Sequence, residues 1–405
     1  MQAHLYLIAS LFFFLAPFIH LEGATPICVY LTWRDDPLTT MTVQWITALE
    51  QTDDLLQFCR FDKQAEWQSV TGSHTQMPLD FPYLLHRAEL THLDPGTAYC
   101  FKLGAEEKIY QFRTMPASLE EPLNFVVGGD VYHDRMEYVI QMNRQAASLN
   151  PQFALIGGDI AYSEALHNKR WIEWLSAWEK TMVTSEGRLI PLVPSLGNHD
   201  VEGGFNQNPE KAPFFYALFG VPGYRALDFG KYLSLIILDS GHTHPIEGEQ
   251  TQWLAKTLHE REAIWHKFAL YHIPAYPCVR QYQYPYSVQV RSNWGTVFEQ
   301  FGLHAAFENH DHAYKRSHPL KNRQVVPSGV LYIGDGAWGV KKARAPKKPK
   351  RAWYLAFTAQ KRHFIYVTLS KAKREYRAVD HRGVVFDSIA QPVMQAQKAD
   401  MASKG

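Results

Sequence analysis

Cysteine is scarce in this chain, and neither sign of charge dominates. Four cysteines occur in 405 residues: Cys28, Cys59, Cys100 and Cys278. None are spaced as CxxC, which argues against a zinc knuckle or a thioredoxin-type redox site. Export would permit disulfides. Cys59 and Cys100 fall in strand-like runs of one region and form the preferred pair, against a reading as four thiols. Lys plus Arg number 41 and Asp plus Glu 40, a formal net charge of +1. That balance gives no support to general nucleic-acid binding. Only one long apolar run occurs, from Leu5 to Leu21. It is short for a spanning helix, which needs roughly 20 apolar residues. Small residues follow at Gly23-Ala24, so residues 1–24 are expected to be a signal peptide. An uncleaved anchor is the alternative, because no Lys or Arg precedes the run and Glu22 sits close to the cut. The mature protein is then expected outside the cytoplasm, secreted or periplasmic, with no membrane partner.

The length predicts more than one domain. Hydrophobic residues make up 46% and charged residues 20%, as in a globular protein with a sizeable core. Residues 25–116 read as all-β. Met41–Thr47 alternates apolar and polar residues, the period of a half-buried strand. Similar runs follow at Leu55–Phe61, His86–Leu93, Ala98–Leu103 and Lys108–Arg113, with Asp94-Pro95-Gly96 as a turn. This spacing predicts an immunoglobulin-like or fibronectin-like sandwich. From about residue 120 to 390, apolar strands alternate with helical patterns, which predicts an α/β domain with helices on both faces. Trp171, Trp174, Leu175 and Trp178 share one helical face and read as core. Residues 391–405 read as a polar tail. No internal repeats occur.

Ligands of α/β sheets gather at the carboxyl ends of strands, and the strand ends here carry the chemistry. Leu123–Val127 leads into Gly128-Gly129-Asp130. Phe153–Ile156 leads into Gly157-Gly158-Asp159-Ile160-Ala161-Tyr162, and Leu189–Leu196 into Gly197-Asn198-His199-Asp200. Phe268–Tyr271 precedes His272, and Leu303–Phe307 precedes Asn309-His310-Asp311-His312. Five successive strand ends bearing carboxylate, phenol, amide or imidazole are hard to produce by packing alone. Oxygen donors suit a hard ion and imidazoles a Zn, Mn or Fe ion. Two such ions can clamp a phosphoryl group and lower the pKa of a water.

The set GGD, GGDxxY, GNHD, YHxPxY and NHDHAYKRS resembles the metallophosphoesterase (calcineurin-like phosphoesterase) superfamily, and Tyr162 points to its purple acid phosphatase branch. The resemblance extends to AELTHLDPGTAY at Ala88–Tyr99, and to stretches at Gln250–Leu254 and Tyr332–Gly339. It implies a fibronectin type III-like N-terminal domain followed by a four-layer α-β-β-α metallophosphoesterase domain. It implies two metal ions, Fe(III) with a divalent Zn, Mn or Fe ion. Asp130, Tyr162 and His312 would hold the first, and Asn198, His272 and His310 the second. Asp159 would bridge them. His199 would serve the phosphate as donor or general acid, and Asp200 would orient it. The implied activity is hydrolysis of small phosphate monoesters by a metal-activated hydroxide. Rival readings are a phosphodiesterase or nucleotide pyrophosphatase on the same site, and a catalytically weak surface or binding protein.

The sequence departs from the family pattern in places. The family's last motif has Gly where this chain has Asn309, and Asn is expected there in left-handed backbone, which it tolerates better than most residues. Gly241-His242-Thr243-His244 imitates that last motif at the wrong point of the chain and reads as a loop with exposed imidazoles, or as a rim of the site. The stretch Tyr276–Tyr286 lacks the further histidines of many plant members, leaving Arg280 or a tyrosine to contact phosphate, or His199 to act alone. His133 lies one residue too far from Asp130 to serve the Asp-x-His pattern of other branches. Lys341–Arg351, KKARAPKKPKR, holds seven positive charges in eleven residues. It reads either as an attractor of polyanionic substrates or as a solvated loop.

Overall fold

The computed structural model describes residues 26–393. The expected signal peptide and the chain beyond 393 lie outside them. Between Cys28 and Arg113, eight strands form two four-stranded antiparallel sheets. Val29, Leu31, Val43 and Trp45 face the core between these sheets. Their neighbours Cys28, Tyr30 and Ile46 face the second domain. This is why Cys28–Thr32 and Met41–Ala48 are buried on both faces. The contact is polar as well as apolar. Glu179 accepts the Val29 N–H at 3.0 Å, and the Tyr30 hydroxyl donates to the Leu218 carbonyl at 2.7 Å. A free edge donor is thereby paired, as sheet edges require. Gln68–Thr71 and Ser73–Met77, which show no alternation in the sequence, are largely exposed strands of these sheets.

Cys59 and Cys100 stand opposite one another in antiparallel register. No disulfide joins them, and all four cysteines are buried thiols. Burial raises both thiols above their ordinary range.

The second domain is built on two sheets. A six-stranded sheet has Leu123–Gly128 at its centre, flanked by the parallel Phe153–Gly157 strand and the antiparallel His363–Leu369 strand. A seven-stranded sheet carries Leu233–Ile237, His266–Leu270, Ala305–Glu308 and Leu331–Gly334 in parallel. Strand alternation assigns the layers. Phe125, Val127, Phe153, Leu155, Leu235, Ile237, Phe268 and Leu270 meet between the sheets. Val126, Ala154 and Ile156 face Met136–Ala147 and Asn168–Thr181, the helices that carry Met142, Trp171, Trp174 and Trp178. Ile236, Ala269 and Ala306 face Leu254, Leu258, Trp294 and Phe298 on the opposite outer layer. The result is a four-layer α-β-β-α sandwich. Helices therefore cover one face of each sheet, not both faces of a single sheet. The tryptophan stripe is core, as its spacing predicts.

Boundaries shift where pairing or packing outweighs local pattern. Val385–Pro392 continues past residue 391, because Gln391 and Pro392 pair with Arg374 and Lys373. Helix Pro285–Val290 runs on through a π-helical turn at Arg291–Gly295 into Thr296–Gln300.

At the sheet end remote from the candidate ligands, His266 is fully buried. Burial, aided by Arg374, depresses its pKa from 6.5 to about 3. The folded state thus favours the neutral ring. Its contribution is complete above pH 6.5 and is lost as pH falls from there towards 3. His266→Phe should leave stability at pH 7.5 within about 1.5 kcal/mol. It should reduce the loss of stability between pH 7 and 5, read by urea unfolding at both pH values.

Candidate metal centre

The strand ends converge, and their backbone is unusual. Asp130 (φ 54°), Asp159 (51°), Tyr162 (49°), His310 (78°) and His312 (56°) all sit in left-handed conformation. Each such non-glycine residue costs of order 1–3 kcal/mol, and such strain collects at functional sites. Glycines make room for it. A Cβ on Gly336, itself at φ 60°, would lie 1.7 Å from Asp130 Oδ2, and one on Gly197 would lie 2.2 Å from Asp159 Oδ1.

Two clusters result. In the first, Asp130 Oδ1 accepts from the Tyr162 hydroxyl at 2.8 Å and lies 2.7 Å from His312 Nε2. The Tyr162 oxygen is 2.9 Å from the same nitrogen. In the second, His272 Nε2 lies 3.2 Å from Asp159 Oδ2 and 3.1 Å from His310 Nδ1. One ligand atom from each of Asp159, His272 and His310 falls within 4.8 Å of the others. His272 Nδ1 is 2.9 Å from the Gly157 carbonyl, a contact that fixes the tautomer and leaves Nε2 as the ligand nitrogen.

The electrostatics fit cations. Asn198 Oδ1 and His310 Nε2 are buried with no hydrogen-bond partner, and such orphaned atoms are costly without a ligand. Burial, then Asp130 and Asp159, push the Tyr162 phenol well above its ordinary pKa. A cation is what would favour the phenolate there. Burial, then His272, hold His310 well below its usual range, in the neutral form that binds metal. Burial opposes ionisation of Asp159, but the His272 charge outweighs it and keeps the carboxyl low.

His199 and Asp200 divide their work differently from the expectation. Asp200 points inward. Its carboxylate accepts the Ile160 N–H at 2.9 Å and the Gly197 N–H at 3.0 Å, bracing two loops. Burial, then the Asp159 charge, raise its pKa to about 7. His199 points outward, with 36% of its side chain exposed and its ring stacked on Tyr162 at 4.6 Å. The carboxylate beside its Nδ1 is that of Glu164. Its backbone N–H donates to Asp159 Oδ1 at 2.8 Å. Sequence reasoning missed Glu164, although an acid two residues after Tyr162, in a left-handed turn (φ 48°), was the available signal. Glu164→Gln is expected to lower kcat roughly ten- to hundredfold with a smaller change in KM, by misplacing the imidazole. Glu164→Asp should recover part of the loss in steady-state assays.

Other residues depart from expectation. Asn309 is not left-handed; His310 and His312 are. Instead the Asn309 amide fills the slot between Gly129 and Gly157 and donates to the Tyr271 carbonyl at 3.0 Å. His242 is fully buried, its ring 5.6 Å from that of His272, so the Gly241–His244 loop does not present two exposed imidazoles. Asp239 holds that loop by accepting the His242 and Thr243 N–H groups at 2.7 and 2.8 Å. His133, exposed, packs edge-on to Tyr162 and His312, each at 4.9 Å. Arg280 donates to the His310 carbonyl and to Asp311, both at 2.8 Å.

Known proteins match this chain in domain order and fold. Residues 26–114 match the purple acid phosphatase N-terminal domain, and residues 123–314 match the calcineurin-like phosphoesterase domain. Purple acid phosphatase 15 of Arabidopsis thaliana is 24% identical over 307 residues, covering 62% of this chain and 53% of that protein. Purple acid phosphatase 5 of the same plant is 25% identical over 332 residues, covering 76% and 78%. The chain spans between half and two thirds of the length of several such relatives. In fold, it superposes on a purple acid phosphatase, PPD1, from yellow lupin seeds with a TM-score of 0.74 at 16% identity, covering 91% of this chain and 74% of that one. The structure of PhoD gives 0.66 at 11% identity, covering 92% and 93%. With both domain families matched in order along one chain, this protein belongs to the purple acid phosphatase-like branch of the metallophosphoesterase superfamily.

Proposed function

We propose that the protein is an exported dinuclear-metal phosphatase that hydrolyses small phosphate monoesters. The observation that carries this reading is the pair of buried, unpartnered ligand atoms Asn198 Oδ1 and His310 Nε2, beside the buried Asp159–His272 contact. Asp130, Tyr162 and His312 would hold Fe(III), the ion that suits a phenolate and a carboxylate. Asn198, His272 and His310 would hold a divalent Zn, Mn or Fe ion, with Asp159 shared between the two. Bound there, the ions would supply an acidified water and offset charge on the phosphoryl oxygens.

The chain's own residues do the rest. The Glu164 carboxylate takes His199 Nδ1, leaving Nε2 to face the substrate. His199 then hydrogen-bonds a phosphate oxygen and gives a proton to the leaving alkoxide. Asp200 keeps the Ile160 and Gly197 loops in register and does not touch His199. Export rests on the apolar run at Leu5–Leu21. Among the described residues, no helix is long and apolar enough to cross a membrane.

The test is hydrolysis of p-nitrophenyl phosphate against bis(p-nitrophenyl) phosphate by the metal-loaded protein between pH 4 and 8. A monoester preference of about tenfold or more in kcat/KM is expected. A diester preference would transfer the site to phosphodiester chemistry. Tight metal binding with neither activity would favour a binding protein.

A further inference from the structure

The basic segment Lys341–Arg351 is anchored by its backbone beside the candidate metal centre. The Gly339 N–H donates to the Asp130 carbonyl at 3.2 Å, just before the segment begins. The Arg344 N–H donates to the His312 carbonyl at 2.7 Å, and the Lys347 N–H to the Cys278 carbonyl at 2.8 Å. Lys341 and Lys342 therefore lie on the short span between two backbone anchors, one on Asp130 and one on His312. The Arg344 guanidinium reaches the His310 carbonyl at 3.4 Å. All seven basic residues are exposed. Among the described residues, none of the seven forms an ion pair, whereas ion pairs are frequent elsewhere on the surface.

A solvated loop explains the exposure but neither the backbone anchoring beside the site nor the missing counter-charge. The whole chain is nearly neutral at +1, so this positive field is local. Unpaired like charges held together repel one another, and an anion relieves that repulsion. One-sign charge at the mouth of a site raises the local concentration of oppositely charged substrate.

We propose that residues 341–351 form an accessory anion subsite for a second phosphate of the substrate. The preferred esters are then small molecules carrying more than one phosphate. This rests on the phosphatase reading above for the reacting phosphate. Binding at the accessory subsite does not require turnover.

The experiment compares fructose 6-phosphate with fructose 1,6-bisphosphate, using wild type and the combined variant Lys341→Gln, Lys342→Gln, Lys347→Gln, Lys348→Gln. These side chains are exposed and their backbone anchors remain, so the fold is retained; circular dichroism checks it. For wild type, kcat/KM on the bisphosphate should exceed that on the monophosphate by about tenfold or more at low salt. The excess should lie in KM and shrink as salt rises, because exposed charges are screened beyond about 10 Å at 0.1 M. The variant should lose the excess while its monophosphate kcat/KM stays within about twofold. Equal loss on both esters, or no loss on either, overturns the subsite. Calorimetric binding of inorganic triphosphate gives a second readout. A Kd weakened about tenfold in the variant supports the subsite even if neither ester is hydrolysed, an outcome that would defeat only the phosphatase reading. An unchanged Kd overturns the subsite whatever the activity.

Discussion

Asp159→Asn should lower phosphatase activity by at least about 10³-fold while leaving the fold intact. Asparagine keeps an oxygen for the His199 N–H, which Asp159 Oδ1 now accepts at 2.8 Å. It removes the negative charge, and with it the oxygen that lies 3.2 Å from His272 Nε2. Metal content should fall together with activity, as read by elemental analysis of the purified variant. Far-UV circular dichroism should be unchanged. A variant that kept a tenth of wild-type activity would show that Asp159 is not shared between two ions. Asp159→Ala is the harsher form, because it also strands the His199 N–H and so mixes a structural loss with the chemical one.

The second large effect concerns stability. Gly157→Ala should destabilise the protein by about 2–3 kcal/mol. Its Cβ would fall 1.8 Å from Asn309 Nδ2 and 2.5 Å from Asn309 Cγ, inside a closed core. Asn309→Gly alone should cost about 1–2 kcal/mol, through the lost hydrogen bond to Tyr271 and the void left behind. The two changes together should be less damaging than their sum by at least about 1 kcal/mol, since each removes the other's conflict. Urea unfolding of the four proteins in the cycle measures this coupling. Additivity would mean that the Asn309 amide can leave the slot without penalty.

The strand ends were legible because each one joins a short apolar run to a polar ligand type, and both halves of that pattern are local. The two catalytic sheets were not separable in the sequence. Val126 and Val127 look alike, yet one faces helices and the other faces the second sheet. That distinction depends on what lies across each face, not on the residue. The polar strands Gln68–Thr71 and Ser73–Met77 were illegible for the converse reason: neither face is buried, so nothing constrains alternation. At the site, Asn309 was legible as a departure, but its remedy was not. The sequence directs attention to its own backbone angle, whereas the accommodation comes from Gly129 and Gly157 on other strands. Glu164 escapes the sequence, and His133 is visible there only as a misplaced ligand, because their contacts with His199, Tyr162 and His312 are made by folding.

Metal analysis combined with a visible absorption spectrum tests the dinuclear centre and the Tyr162 ligand together. Two ions per chain are expected, one of them iron. A tyrosinate-to-iron(III) band should colour the protein purple or pink and disappear in Tyr162→Phe, while the His199→Ala protein keeps it. A protein that binds iron and a second ion in full but shows no visible band would contradict the assignment of Tyr162. A protein that binds no more than one ion per chain would contradict the dinuclear centre itself.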